Sequence, residues 1–397
     1  MIQIRLTVYV VLAALASLVV STPVKAREDS AKVPGAQCTT IDRRKEWRDM
    51  SVGQRLSYIN AVLCLHSLPP NDKTRAATSR YEEFQATHIL LTDRVHSVGH
   101  FLPWHRHLGT LYGKALREEC GYDGPTAYWD WRRDADSEVD ILKSPIFDPV
   151  TGFGGDGVEG TYTLPPDPNN EGATLPTFAP APGPLPTGTF TFPGGTAPGP
   201  FPTFTFPSGT PPPPSGTPFP GLPPGGGFPS PYKGCVLDGP FNSTNWRIHL
   251  GPGKLVTEHC LVRNISPFGK FMLTSEVVRN VMLSKNYEEF RLAVDSFQNG
   301  PIHGGGHVLV GGEMINVYSA GADPLFYLHH AGLDKVWWDW QQVDPTNRLY
   351  DVSGPTTQGG SIPITLDFEL DFPALGPNIT VRDTMDSALE PNCFTYE

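Results

Sequence analysis

Three histidines, His88, His96 and His105, lie at intervals of eight and nine residues in the stretch from Arg80 to Arg117. The segment Phe-Leu-Pro-Trp-His-Arg that contains His105 predicts the start of a helix, because a proline in the first turn leaves no hydrogen bond unmade. Apolar residues then recur at helical spacing and give this helix one buried face. A single buried histidine is most often a hydrogen-bonded core residue. Three histidines that lead into one helix indicate instead that they act together.

A second group of histidines lies far along the chain. His303 and His307 are four residues apart, so both imidazoles share one face of a helix. His330 follows in Asp-Pro-Leu-Phe-Tyr-Leu-His-His, and Asp334, one turn later, is most simply a structural carboxylate. A zinc protease would carry glutamate directly after the first histidine, where this chain has Gly304. Two sets of three imidazoles suit copper, iron, nickel or zinc, and copper has the highest intrinsic affinity among divalent ions.

Longer motifs accompany both groups. The chain contains FLPWHR, HGGGH and DPLFYLHHAGLD, together with YWDW, GFGGDG and CVLDGPF. In combination they resemble the tyrosinase and catechol oxidase family of binuclear copper proteins, and its short secreted fungal members above all. The resemblance implies a mainly α fold: a single domain with a central four-helix bundle that holds the copper site, interrupted by a long Pro/Gly-rich loop.

The ligand positions of the family carry over to six residues of this sequence. They are His88, His96 and His105 for the first copper, and His303, His307 and His330 for the second. The resemblance implies that O2 oxidises ortho-diphenols or ortho-aminophenols to quinones, with monophenols as further candidates, in pigment or secondary-metabolite biosynthesis. The alternatives are an oxygen-binding protein with the same site and a non-catalytic relative. Loss of the metal would be expected to remove at least one of the six histidines, and all are present.

Hydroxylation of a monophenol needs more than the copper ligands. The family associates it with a water held by a glutamate before the second histidine group and by an asparagine after its first histidine. The aligned positions here are Asp295 and Gly304. A shorter carboxylate and a missing side chain predict that the chain favours ortho-diphenols. Three further histidines, His100, His107 and His329, are expected beside the ligands or on the surface.

Residues 1–26 resemble a secretory signal. Arg5 precedes an apolar run, and a small-residue cleavage site ends at Ala26. The run is short for a membrane span, so an uncleaved anchor is the less favoured alternative. We expect residues 27–397 to form the secreted copper-binding domain. The glycosylation sequons that agree with secretion are Asn242, Asn264 and Asn378.

The cysteines and the charge narrow the choice of environment. Six cysteines stand singly along the chain. In an oxidising compartment an even number predicts disulfides, and six allow 15 pairings that the sequence cannot rank. A net charge of -11 and a pI near 5.5 argue against nucleic acid and anionic membranes as partners. The oligomeric state stays open.

The composition changes completely between residues 163 and 232, where proline, glycine, threonine, serine and phenylalanine dominate. Such a segment cannot build helix or sheet ladders, so a solvated loop is the expected default. A cover over the site and a retained intron are the alternatives. The segment is not a domain boundary, because the histidine groups on either side of it must meet in one core.

Apolar spacing also predicts the helices around these groups. Helices are expected over 47–68 and 274–297, another from His303, and a last one that carries His330. The three glycines after His303 each cost about 1 kcal/mol in a helix, so packing and metal ligation must hold it. Residues 308–312 and 314–318 are predicted as a short turn or strand pair.

Overall fold

Helices dominate the structure, a computed structural model that describes residues 35–73, 75–166, 232–295 and 301–397. The α-helices in these ranges are α1 (Val52–Ser67), α2 (Arg80–Val95), α3 (Phe101–Cys120), α4 (Arg132–Ala135), α5 (Ser275–Met282), α6 (Tyr287–Val294), α7 (Pro301–Val310), α8 (Leu325–Val343), α9 (Pro345–Arg348) and α10 (Val381–Met385). Short 3₁₀ turns cover Trp47–Asp49, Ile141–Lys143, Pro145–Phe147, Pro267–Met272, Gly312–Ile315 and Ala320–Ala322. The predicted mainly α fold is confirmed. In the described ranges, no helix has the length and apolar character that crossing a membrane requires.

The strands are short and form small sheets. They are β1 (Asp42–Glu46), β2 (Ala127–Tyr128), β3 (Gly157–Glu159), β4 (Gly234–Val236), β5 (Arg247–Ile248), β6 (His259–Cys260), β7 (Val262–Arg263), β8 (Glu369–Leu370), β9 (Ile379–Thr380) and β10 (Phe394–Tyr396). β1 pairs in parallel with both β10 and β2. β3, β4 and β7 form an antiparallel sheet, and β5 with β6 and β8 with β9 form antiparallel pairs. The β10–β1–β2 sheet therefore ties the two ends of the described chain together.

Four helices carry the two histidine groups. α3 packs against α2 and α8, and α8 packs against α7. The Ser79 hydroxyl accepts a hydrogen bond from the Glu82 amide and so starts α2. Gly121 adopts φ of 67° and closes the last turn of α3. Local sequence thus sets where α2 begins and where α3 ends, and packing brings α8 against α3 and α7 against α8.

A buried ion-pair network joins α3 to α8 beside the histidines. The Arg106 guanidinium donates to Asp334 Oδ1 at 2.6 Å, and the Arg44 guanidinium donates to Asp334 Oδ2 at 3.0 Å. The Tyr396 hydroxyl donates to the same carboxylate at 2.5 Å. The network is buried, so each charge depends on its partners for compensation. Asp334 is therefore the structural carboxylate that the sequence predicted.

All six cysteines form disulfides, as their even number predicted. The pairs are Cys38–Cys393, Cys64–Cys120 and Cys235–Cys260. The first reinforces the β1–β10 pairing, and the second joins α1 to the end of α3. Disulfides form and persist in oxidising environments.

The helix predicted over 47–68 begins later than expected. A 3₁₀ turn covers Trp47–Asp49, and α1 starts only at Val52. Ser51 and Gln54 form a capping box, in which each side chain accepts a hydrogen bond from the backbone N–H of the other. This local bonding starts the helix at that point.

The single helix predicted over 274–297 is wrong. The chain forms α5 and α6 instead, with a break between Met282 and Tyr287. The Asn286 side chain accepts a hydrogen bond from the Glu289 amide, and this cap starts a second helix.

Of the two alternatives predicted for 308–312 and 314–318, a short turn or a strand pair, the structure shows the turn. Residues to Val310 continue α7, and a 3₁₀ turn follows over Gly312–Ile315. Gly311 and Gly312 adopt φ of 64° and 54°. Glycine enters this left-handed region without steric cost, so the chain turns there and does not extend.

The predicted signal peptide (1–26) and most of the predicted insert (163–232) lie outside the described residues. The two ends of the insert are described, and the ring centroids of Tyr162 and Tyr232 are 6.2 Å apart. Both rings pack on the cluster that contains Cys235 and Cys260. The insert therefore leaves and re-enters the fold at one place.

Candidate metal centre

The first histidine group comes from α2, α3 and the turn between them. His88 lies on α2, His96 follows its last residue, and His105 lies on α3. Their ring centroids are separated by 5.1 Å (His88–His96), 5.0 Å (His96–His105) and 5.8 Å (His88–His105). One nitrogen of each ring lies within 4.8 Å of the others, and all three side chains are buried. The intervals of eight and nine residues thus bring three imidazoles to one point.

The second group comes from α7 and α8. His303 and His307 lie one helical turn apart on α7, and their Nε2 atoms are 3.1 Å from each other. His330 on α8 approaches them, with ring centroids 5.3 Å from His303 and 5.7 Å from His307. His329 also has a nitrogen within 4.8 Å of this group. Four histidines therefore compete for three ligand positions.

Hydrogen bonding separates His329 from His330. The Trp131 indole N–H donates to His329 Nδ1 at 3.1 Å, and His329 Nε2–H donates to the His303 carbonyl oxygen at 3.0 Å. Both nitrogens of His329 are engaged, so neither lone pair is available to a metal. Both nitrogens of His330 are buried and have no hydrogen-bond partner among the described residues. His330 is therefore the candidate ligand, and His329 is a buried support for α7.

Five of the six candidate ligands are anchored through Nδ1. The acceptors are the carbonyl oxygens of Tyr318 for His88, Thr92 for His96, Phe101 for His105 and Met314 for His307, and the carboxylate of Asp295 for His303. Such oxygens only accept, so each Nδ1 carries the hydrogen and Nε2 of the neutral ring keeps its lone pair. The rings are thus held in the tautomer that binds a metal through Nε2.

The remaining nitrogens fit a bound cation. The Nε2 atoms of His88 and His105 are buried without a partner among the described residues. Leaving such an atom unsatisfied costs about 1–3 kcal/mol. The Nε2 lone pairs of His303 and His307, at 3.1 Å, also repel each other when both rings are neutral. A metal ion bound by each group removes both costs.

The two groups face each other. The ring centroids of His105 and His330 are 4.4 Å apart, and those of His96 and His303 are 5.8 Å apart, with 13° between the planes in both pairs. Neither group therefore forms an isolated site. Two all-imidazole groups in contact, inside a helical core, define a binuclear metal protein.

Burial keeps these imidazoles neutral. Loss of hydration lowers the pKa of His88 to about 3 and that of His96 to about 4. Burial, with repulsion from neighbouring histidines, also holds the pKa values of His105, His307 and His330 well below the usual value. A neutral imidazole is the form that binds metal, so these ligands are ready to bind at neutral pH.

The three glycines after His303 have different roles. A Cβ on Gly306 would lie 2.3 Å from the His329 ring, and one on Gly305 would lie 2.9 Å from Met272 Cβ. Both positions therefore need glycine for packing. A Cβ on Gly304 would meet no described atom within 4 Å. Position 304 therefore has room for a side chain among the described residues.

Asp295 follows the end of α6 and touches both groups. Its Oδ1 accepts a hydrogen bond from His303 Nδ1, and its Oδ2 accepts one from the Ser97 amide, each at 2.9 Å. Burial alone would raise the pKa of Asp295, but the hydrogen bond from His303 lowers it below the ordinary value. The resemblance to the family indicated that Asp295 lies near the second group, but nothing in the sequence indicated these two hydrogen bonds.

The other histidines near the ligands are buried. His100 donates from Nε2 to the Arg94 carbonyl oxygen at 2.8 Å, and the His107 ring packs against Phe372. A surface position, one of the two expected for His100, His107 and His329, is therefore wrong for all three.

Sequence reasoning missed the carbonyl acceptors of the ligands. Thr92 and Phe101 each precede their histidine by four residues, a spacing that could have suggested them. Tyr318 and Met314 carry no such signal, because they lie 230 and seven residues from the histidines that they hold.

The three sequons lie in different surroundings. Asn378 is exposed, and its amide donates to Asp371 Oδ1 at 3.0 Å. Asn242 is half-buried, and its amide donates to the Gly239 carbonyl oxygen at 2.8 Å. Asn264 is half-buried, and its backbone N–H donates to the Val310 carbonyl oxygen. Of these, Asn378 offers the most room for a glycan.

Known proteins with similar sequences and structures identify the family. Residues 78–343 match the common central domain of tyrosinase. The chain is 30% identical to tyrosinase P of Aspergillus terreus, over 91% of this chain and 94% of that protein. It is 29% identical to the N-acetyl-6-hydroxytryptophan oxidase of Emericella nidulans, over 89% and 92% of the two chains. A mutant polyphenol oxidase from Thermothelomyces thermophila superimposes with a TM-score of 0.68 at 26% identity, over 92% and 91% of the two chains.

The chain belongs to the tyrosinase family. Its cofactor is accordingly a pair of copper ions, and the two histidine groups are consistent with that pair. Members of the family are oxidoreductases that use O2 and phenolic substrates. The resemblance seen in the sequence motifs is confirmed.

Proposed function

We propose that His88, His96 and His105 hold one copper and that His303, His307 and His330 hold the other. The observation that carries the assignment is the set of buried ring nitrogens without hydrogen-bond partners among the described residues. The anchored Nδ1 atoms support it, because they fix both the tautomer and the direction of each ring. His329 is left out because the protein uses both of its nitrogens.

The reaction is the oxidation of ortho-diphenols or ortho-aminophenols by O2. Copper exchanges single electrons, so a pair of ions can pass electrons between the phenol and O2. Two ortho-diphenols each lose two electrons and two protons to become quinones, and one O2 takes up all of these to become two waters. Four of the six histidines are buried, so ions held by them would be shielded from competing water.

Diphenols are the preferred substrates. A phenol has a pKa near 10, so a monophenol at neutral pH needs a base directed at its hydroxyl. Gly304 offers no side chain that could hold a water there. Both oxygens of Asp295 already accept hydrogen bonds, from His303 and Ser97. The residues at these two positions support the proposal that monophenols are hydroxylated slowly.

A role in pigment or secondary-metabolite biosynthesis is part of the proposal. One is named as an oxidase of N-acetyl-6-hydroxytryptophan, a compound with a hydroxylated aromatic ring. A small hydroxylated aromatic compound is therefore the proposed class of substrate for this chain as well.

Secretion is part of the same proposal. The signal at residues 1–26 would direct residues 27–397 into the secretory pathway, where the three disulfides can form. Asn242, Asn264 and Asn378 are the proposed glycosylation sites, and the exposed Asn378 is the best placed for modification.

Elemental analysis and O2 uptake on purified protein test the proposal. The wild-type protein should contain two copper ions per chain and consume O2 with dopamine. His105→Ala should lose copper and stop O2 uptake, whereas His249→Ala, a histidine outside both groups, should keep both. Full activity in His105→Ala would overturn the assignment. Two coppers without turnover of any diphenol would instead indicate an oxygen-binding protein.

A further inference from the structure

One carboxylate connects the two halves of the metal centre. Asp295 accepts hydrogen bonds from His303 in the second half-site and from the amide of Ser97, the residue directly after His96 in the first. We infer that Asp295 is a positioning residue that sets the separation of the two half-sites. The inference rests on the proposed ligand set.

The backbone at Ser97 needs such a partner. Ser97 adopts φ of 56°, a left-handed conformation that is unfavourable for a residue with a Cβ. Strained residues of this kind persist only where the surroundings hold them. The bond from the Ser97 amide to Asp295 supplies this support, and it thereby fixes the turn that carries His96.

The same carboxylate orients the facing ring. The His96 and His303 rings lie almost parallel, with centroids 5.8 Å apart. Asp295 reaches the backbone beside the first of these rings and Nδ1 of the second. A shift of Asp295 would therefore change the distance between them.

Asp295 differs from the other acceptors of the centre. His88, His96, His105 and His307 all donate to backbone carbonyl oxygens. His303 donates to a side chain, and that side chain is only 12% exposed. A charged carboxylate makes a stronger bond than a neutral acceptor, and it raises the basicity of the imidazole. A single substitution can therefore alter this link, whereas no substitution removes a carbonyl.

The substitution Asp295→Asn should break one of the two hydrogen bonds that Asp295 accepts. Asparagine keeps the shape but has a single acceptor oxygen, so it cannot accept from both His303 and Ser97. Copper affinity should fall about 10–100-fold at one of the two sites, in titrations with a competing chelator. The protein loaded with Cu(II) should gain an electron paramagnetic resonance signal from uncoupled ions, which a coupled pair lacks. Asp367→Asn is the matched control, because it removes a carboxylate that is 78% exposed and pairs with Arg382.

Hydrogen exchange of the metal-free protein gives a readout that needs no copper. The Ser97 amide should be protected in the wild type and should exchange at least tenfold faster in Asp295→Ala, which removes both acceptor oxygens. If that variant fails to fold, wild-type protection at Ser97 still decides, since an unprotected amide would overturn the inference. Wild-type copper affinities with a silent spectrum in Asp295→Asn would also overturn it. So would an unchanged rate of exchange at the Ser97 amide in Asp295→Ala, because Asp295 would then act on His303 alone.

These results are distinguishable from a failure of the proposed function. A wild-type protein that binds no copper, or does not oxidise diphenols, would refute that function whatever the Asp295→Asn variant does. A fully active wild type whose Asp295→Asn variant retains a normal copper pair would refute only the positioning role.

Discussion

The imidazole rings of His105 and His330 stack with centroids 4.4 Å apart, although they belong to different histidine groups. They lie on α3 and α8, and the Arg106–Asp334 ion pair joins the same two helices beside them. Arg106 directly follows His105, and Asp334 lies one turn after His330. The ion pair therefore holds the two helices in the register that brings these rings together.

Two neighbouring histidines should respond differently to the same substitution. His330→Gln should remove one of the two coppers and abolish diphenol oxidation, because its buried nitrogens have no hydrogen-bond partner in the described part of the chain. His329→Gln should keep both coppers and lower only the melting temperature, because His329 bonds to Trp131 and His303. Copper content per chain measures the difference. Copper loss in His329→Gln but not in His330→Gln would reverse the ligand assignment.

Gly304→Asn should raise monophenol hydroxylation relative to diphenol oxidation. The new side chain has room among the described residues, where it can hold a water as a base for the phenol. The measurement is the ratio of initial rates on tyramine and dopamine at matched copper content. Gly53→Asn, on the exposed start of α1, should leave the ratio unchanged. A wild-type ratio near one would contradict the expected preference for diphenols.

Residues 167–231 should be dispensable for the copper centre. The rings of Tyr162 and Tyr232 are 6.2 Å apart, so a short Gly/Ser link can join the two ends. Closing a loop costs only about 0.6 kcal/mol for each doubling of its length, so shortening it should not destabilise the fold. Copper content and melting temperature of the deletion variant provide the check. Loss of copper would mean that the segment contributes to the core.

The His259–Glu313 pair should stabilise the protein in a pH-dependent way. Burial alone would lower the pKa of His259, but the hydrogen bond and charge of Glu313 raise it above the usual value of 6.5. The contribution is therefore complete below the unfolded pKa of about 6.5 and is lost as the pH rises through the folded-state pKa. Between pH 5.5 and 8.5, Glu313→Gln should lower the melting temperature most at the acidic end.

The control for Glu313→Gln is a substitution at an exposed carboxylate. Glu258→Gln makes the same change at an exposed carboxylate and should have little effect at any pH. A loss of stability in Glu313→Gln that does not vary with pH would show that His259 is uncharged in the folded protein.

The sequence predicted the centre better than it predicted the elements around it. The histidine intervals and the apolar spacing of α3 and α8 are local patterns. They can be read from the sequence because they do not depend on contacts with distant residues. The break at Asn286 depends on one side chain that caps a helix, which outweighs the apolar spacing on either side. The choice between His329 and His330 depends on Trp131, which lies 198 residues from His329. No local pattern could have made that choice.

Backbone acceptors make the ligand geometry tolerant of mutation. The carbonyl oxygens of Met314 and Tyr318 anchor His307 and His88, and every amino acid supplies the same oxygen. A substitution of the Met314 or Tyr318 side chain therefore leaves in place the oxygen that orients the ring. Laboratory evolution could diversify Val317, which is 48% exposed, with little risk to the metal ligands.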